Sequence, residues 1–169
     1  MIVVSDTSPL QYLVCLGQAE VLRRLFGSIG CPREVMAECQ HPHAPRALRE
    51  WAANPPNWLV IHETPRWEDS ELSRLDAGEA AAIRLAIHLH ANLLLIDERK
   101  GRRVAQTKGL KVAGVLGVLA EADIVGLLDF DAVVHQLLLT TTFRVSEPVL
   151  QRLRSRIQSE RRRPARPEE

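Results

Sequence analysis

The sequence predicts an α/β domain built on a parallel sheet with helices on both faces. Two observations carry this expectation. Short unbroken apolar runs, the clearest at residues 93–96, alternate with longer stretches of helical period. Such a run reads as a strand buried on both sides, and repeated strand–helix alternation is the pattern of a parallel sheet with crossover helices. The apolar runs at 2–4 and 93–96 are each followed closely by an acid, Asp6 and Asp97. In open α/β sheets the carboxyl edge of the strands is where ligands bind.

The elements follow in order. After the first strand and Asp6, Ser8 is placed to cap a helix with Pro9 at its first position. Leu10, Leu13 and Val14, then Val21, Leu22, Leu25 and Phe26, keep helical spacing with a break near Gly17 and a stop at Gly27. Residues 28–31 are a weak second strand. Pro32 opens a short helix with Val35 and Met36 facing inward and Glu38 near its end. The prolines of residues 41–45 mark a loop, 46–53 a helix, and Asn54-Pro55-Pro56-Asn57 a turn before a third strand at 58–61. Residues 65–70 form a further loop. Leu75-Asp76-Ala77-Gly78-Glu79 starts the best helix of the chain, with Ala80, Ile83, Ala86, Ile87 and His90 along one side. The fourth strand at 93–96 comes next, then a helix over 99–108 stopped by Gly109 and a fifth strand at 110–113. Helices over 116–125, 131–139 and 146–158 complete the chain. A sheet wound outward both ways from its first strand has the order 3-2-1-4-5, which sets Asp6 and Asp97 at one crevice.

The chain has 169 residues, enough for one domain with a full core, read here as residues 1–158. Residues 159–169 are Arg, Pro and Glu around one Ala and one Ser, and read as a basic disordered tail. A hydrophobic content of 46% excludes disorder for the rest, and an aromatic content of 4% argues against base stacking as the main binding mode. No apolar run approaches the roughly 20 residues of a membrane helix, and the N-terminus lacks a signal pattern, so no membrane and a cytoplasmic location are expected. Cys15, Cys31 and Cys39 are odd in number and lack Cys-x-x-Cys spacing, as reduced thiols would be. The formal net charge is +1, with seven arginines and three glutamates in the last 19 residues over a mildly acidic body. No internal repeat is present.

Two further acids can join the crevice: Glu79, in the first turn of its helix, and Glu38. Carboxylates brought together repel, and some must stay protonated at neutral pH unless a cation joins them. Mg²⁺ or Mn²⁺ takes oxygen ligands, keeps several waters and can clamp a phosphodiester. The segments Ile2-Val3-Val4-Ser5-Asp6-Thr7-Ser8-Pro9-Leu10, Pro32-x-x-Val35-x-x-Glu38, Asp76-Ala77-Gly78-Glu79-Ala80 and Leu94-Leu95-Ile96-Asp97-Glu98-Arg99-Lys100-Gly101-Arg102-Arg103-Val104-Ala105, with the later Gly114-Val115-Leu116-Gly117-Val118-Leu119, resemble a PIN domain over residues 1–157. The chain is most similar to a VapC-like subgroup. Each motif is weak alone, but all four in this order are specific for the fold.

The resemblance implies a PIN-like three-layer α/β/α fold and a Mg²⁺- or Mn²⁺-dependent endoribonuclease acting on single-stranded RNA. It implies that Asp6, Glu38, Glu79 and Asp97 are the catalytic quartet. Asp6 and Asp97 would be the principal metal ligands, Glu79 a ligand directly or through water, and Glu38 an outer ligand or a water-orienting group. Ser8 would support the site, and Glu98 is a possible extra ligand. Many members carry Thr or Ser near the position of Val115, so one supporting hydrogen bond is in doubt here. A toxin role with an antitoxin partner, and a homodimer, are implied by resemblance alone.

Plainer readings compete. Asp6 could cap a helix, Asp76-x-x-Glu79 fits a capping box, and Glu38 alone would be an ordinary helix acid. Asp97 is hardest to explain away, because an acid ending a buried strand bears a desolvation cost. Arg99, Lys100, Arg102 and Arg103 suit RNA phosphates or a solvated helix face about equally. Cys39-Gln40-His41-Pro42-His43 resembles a metal tract but matches no zinc spacing, so a plain loop is expected. His-Glu-x-x-His, a Gly-rich phosphate loop and Gly-x-Ser-x-Gly are all missing. The alternatives are a non-catalytic PIN-fold module that binds RNA or protein, and a receiver-like phosphoacceptor. The latter needs an Asp after the third strand, where His62 and Glu63 stand.

Overall fold

Five short parallel strands form one sheet: β1 (Val3–Ser5), β2 (Ile29–Pro32), β3 (Leu59–His62), β4 (Leu93–Leu95) and β5 (Val112–Ala113). Their order is β3-β2-β1-β4-β5, as expected from the sequence. The structure, a computed structural model, describes residues 1–162. Around the sheet lie α1 (Thr7–Cys15), α2 (Glu20–Phe26), α3 (Arg33–Cys39), α4 (Arg46–Ala53), α5 (Ala77–His88) and α6 (Arg99–Thr107), followed by α7 (Val115–Ile124), α8 (Phe130–Thr140) and α9 (Glu147–Arg161). Contacts divide the chain into two compact units, Met1–Val115 and Leu116 onward. The first holds the whole sheet. Among the described residues, no helix is long and apolar enough to cross a membrane.

Burial shows why the centre of the sheet reads as unbroken apolar sequence. Successive strand side chains point to opposite faces. Val3, Val4 and Ser5 of β1 and Leu94 and Leu95 of β4 are all buried, so both faces are covered there. This is the α/β/α layering of a parallel sheet. Strand β3, at one edge, leaves Val60 and Ile61 exposed. Helix α5 packs against β1, β2, β4, α3 and α6. Gly78 through Ile83 are all buried, and the run of small residues lets the helix lie close to its neighbours. Leu72, Ile83, Leu85, Leu94 and Ile96 form the centre of this core.

Three local expectations are corrected. Helix α1 starts at Thr7 with Asp6 at the N-cap, so Ser8 and Pro9 lie inside the first turn and Ser8 is not the cap. The β1 ladder continues through Asp6, whose N–H donates to Leu95 O at 2.9 Å, and the turn into the helix follows at once. A single 3₁₀ turn at Leu72–Arg74, unforeseen in the sequence, buries Leu72. Helix α9 runs to Arg161, past the expected start of a tail at 159. Its end is tied down because Arg161 donates to Asp123 O at 2.9 Å and pairs with the Asp123 carboxylate. Residues 163–169 of the expected tail lie outside the described residues.

Candidate functional site

The ends of β1 and β4 are paired, Ser5 opposite Leu95, so the acids that follow them are neighbours. Asp6 is only 2% exposed, and its Oδ1 is buried without a hydrogen-bond partner. Burial pushes its carboxyl up to about 7. The Thr7 N–H opposes this, while the charges of Glu79, Glu38 and Asp97 add to it. Asp6 thus senses the other three acids at once. It holds the N-cap position but makes no side-chain cap bond, so capping does not account for it.

Glu38 comes from α3, which packs against α5. One carboxylate oxygen accepts from the Gly78 N–H at 2.8 Å, and the other from the Thr7 hydroxyl. The first turns of α1 and α5 thereby converge on one carboxylate. Glu79, the next residue of α5, is 7% exposed. Its Oε2 accepts from the Asp76 N–H at 3.3 Å, completing the capping box that the sequence spacing suggested. Capping and the site coexist, since burial followed by the charges of Asp76, Glu98 and Glu38 raises the Glu79 carboxyl against the pull of the Asp76 N–H.

Asp97 lies just beyond β4. Its Oδ1 accepts from the Val115 N–H at 2.9 Å, and its Oδ2 is buried without a partner. Burial lifts its carboxyl to about 6, with the Val115 N–H and the Arg102 guanidinium pulling down and Glu98 pushing up. Val115 gives Asp97 its backbone N–H but, being apolar, no side-chain hydroxyl.

A PIN domain family model matches residues 2–159. The chain belongs to the PIN-domain family. No curated protein and no solved structure matches it. PIN domains are generally nucleases and usually use divalent metals. Among the described residues of this PIN domain, no three acidic, histidine or cysteine side chains stand as a ready-made metal cage. A hydrated cation needs less, because Mg²⁺ keeps several waters and takes one or two carboxylates. The two orphaned carboxylate oxygens, on Asp6 and Asp97, are the donors such an ion requires. The residues present fit the group.

The remaining expected site residues are placed as follows. Ser8 is half-buried, inside the first turn of α1. Glu98 is exposed at the N-cap of α6, and its charge reaches both Glu79 and Asp97. Arg99 and Arg103 are exposed on α6. Lys100 Nζ donates to Arg74 O at 2.6 Å. Arg102 turns toward the sheet, donating to Ile96 O at 3.1 Å beside Asp97, which suits it to steadying that acid. In the Cys39–His43 tract, the His41 and His43 rings lie 5.2 Å apart at a chain turn, and Cys39 is buried.

Thr7 and three glycines also shape the site, though the sequence analysis gives them no role there. A Cβ at Gly78 would stand 2.4 Å from Glu38 Oε2, one at Gly101 would stand 2.6 Å from Ile96 Cδ1 and 2.9 Å from Glu79 Oε1, and one at Gly114 would stand 2.4 Å from Asp97 Oδ1. Gly78 and Gly101 lie inside helices, where glycine is unfavourable and usually has a packing reason. That was the available signal.

Proposed function

We propose that this PIN domain is a divalent-metal-dependent endoribonuclease that hydrolyses single-stranded RNA at the crevice between Asp6 and Asp97. The observation that carries this is the pair of buried carboxylate oxygens, one at each of two neighbouring strand ends, that have no partner among the described residues. Two desolvated carboxyls with raised pKa values are a costly arrangement unless a cation binds there. Asp6 and Asp97 would hold Mg²⁺ or Mn²⁺, with Glu79 joining directly or through water. Once bound, the ion supplies charge neutralisation at the phosphodiester and a more acidic attacking water.

The protein's own groups do the positioning. Glu38, fixed by Thr7 and the Gly78 N–H, orients the attacking water and accepts its proton. Val115 N–H holds Asp97 Oδ1, and the nearby Arg102 guanidinium favours its charged form. Arg99, Lys100 and Arg103 offer cations for flanking phosphates along α6. In-line attack leaves a 5′-phosphate and a 3′-hydroxyl. We further read the activity as that of a toxin silenced by an antitoxin, in a protein that pairs as a homodimer. That part rests on the VapC-like resemblance.

The test is cleavage of a mixed RNA pool by purified protein in Mg²⁺, in Mn²⁺ and in excess EDTA, with Asp6→Asn and Asp97→Asn beside the wild type. Metal-dependent cutting lost in both variants is expected. Cutting that persists in EDTA refutes the mechanism. RNA binding without cutting in either metal points instead to a non-catalytic PIN module. Growth arrest on expression, relieved by a co-expressed neighbouring gene product, tests the toxin reading.

A further inference from the structure

We infer that Trp67 and Arg84 form a distant nucleotide subsite for the single-stranded RNA, a proposal that rests on the ribonuclease reading and extends it. Two cavities lie side by side in the first unit. One, of about 660 Å³, is lined by Thr7 and Glu38 of the acidic cluster together with His41 and His43. The other, of about 510 Å³, is lined by Thr64, Arg66, Trp67 and Arg84. Glu34 and Ala77 line both, so the two adjoin there, and read together they make a trough that starts beside Glu38.

The far end of this trough has the groups that hold an unpaired nucleotide. Trp67 is 37% exposed. The Arg84 guanidinium lies 5.9 Å from the centre of its indole ring, and its NH2 group donates to Trp67 O at 3.4 Å. Among the described residues, its Nε is buried with no hydrogen-bond partner and no carboxylate forms an ion pair with its guanidinium. An arginine fixed beside an indole, its NH2 end exposed, suits a nucleotide whose base stacks on the ring and whose phosphate takes the cation. Glu34, which accepts from the Thr64 hydroxyl at 2.6 Å, lies between this end and the cut site. Its acidity disfavours a phosphate there and leaves room for a base amine. The chain would thus run with its cut phosphate at the acids, a base past Glu34, and a second anchor on Trp67 and Arg84.

The test uses the full chain carrying Asp97→Asn, so that RNA stays intact, and measures its affinity for oligoadenylates of increasing length and for the same lengths made abasic. Trp67→Ala should weaken binding of long oligoadenylate about tenfold, leave abasic RNA unchanged, and be largely rescued by Trp67→Tyr. Arg84→Gln should weaken both ligands and make the salt dependence of log Kd shallower by about 0.7. The shortest oligomers should bind all variants alike. In the Asp97-intact protein, the same changes should raise KM for long RNA and leave kcat unchanged. Equal losses on base-containing and abasic RNA for Trp67→Ala, or wild-type affinity in both variants, overturns the subsite and leaves the trough to a peptide. Because affinity is read without cleavage, a protein that binds as expected but never cuts defeats the nuclease reading and spares the subsite.

Discussion

In the metal-free protein at neutral pH, Asp6→Asn should make the fold more stable. Burial raises the Asp6 carboxyl from 3.8 to about 7, whereas in the unfolded chain it returns to its ordinary value. One pKa unit corresponds to about 1.4 kcal/mol, so ionising Asp6 within the fold costs about 4 kcal/mol. The native state holds this proton more tightly than the unfolded one. The contribution is therefore fully present below pH about 4 and is lost as pH rises toward about 7. Asp97, lifted to about 6, adds about 3 kcal/mol in the same direction. An asparagine at position 6 carries no charge and escapes the larger share. The assay is urea unfolding in EDTA at several pH values between about 4 and 8, taking the difference between variant and wild type so that other titrations cancel. The variant should gain up to about 4 kcal/mol on the wild type across that range. Added Mg²⁺ should narrow this gap, stabilising the wild type by about 2.7 kcal/mol at a hundredfold excess over its Kd and the variant far less. If wild-type stability in EDTA rose with pH as much as the variant's does, the buried-carboxyl account of this crevice would be refuted.

Further outcomes are expected. Asp97→Asn should lower cleavage by about a hundredfold or more with far-ultraviolet circular dichroism unchanged, as measured on the RNA pool. Gly114→Ala should cost about 1–3 kcal/mol in urea unfolding and impair cleavage, because its Cβ would stand 2.4 Å from Asp97 Oδ1. Thr7→Val removes the hydroxyl that donates to Glu38. It should cost about 1 kcal/mol in the same assay and lower kcat more than it raises KM. In the second unit, Arg161→Ala should destabilise by about 1–3 kcal/mol in thermal or urea unfolding, since the buried Asp123 carboxylate and carbonyl lose a donor.

The topology was legible because its signals are global. Val3 and Val4 of the apolar run at 2–4 and Leu94 to Ile96 of the run at 93–96 are buried, and burial of successive strand residues on both faces is what a central position in a parallel sheet asks for. The acids that end these runs suggest that β1 and β4 are neighbours, as they are in the observed order β3-β2-β1-β4-β5, though they do not force the rest of that order. Boundaries were less legible. Each of β1, β2 and β3 starts one residue later than the apolar run suggests, because a strand is bounded by its ladder partners and not by its own hydrophobicity. The start of α1 was misplaced for a related reason: Ser8-Pro9 is a fair local start signal, but the Asp6–Leu95 hydrogen bond sets where the strand must turn. The continuation of α9 to Arg161 depends on a contact with Asp123, 38 residues away, which no local pattern records.

The four acids are better explained by what is missing beside them than by their own spacing. Glu38, Glu79 and Asp97 are each packed against a glycine from another segment, Gly78, Gly101 and Gly114. Any side chain at those positions would push a carboxylate aside, so the cluster requires backbone to pass where side chains normally stand. Two of the glycines lie within helices, where each costs about 1 kcal/mol relative to alanine. Two orphaned, desolvated oxygens add to that cost. A fold of this size that only needed stability would fill the glycine positions with alanine and replace Asp6 and Asp97 with apolar residues, continuing the hydrophobic strands. Unfavourable choices at one sheet edge, each geometrically tied to one of four acids, are accounted for together if the crevice exists to receive positive charge.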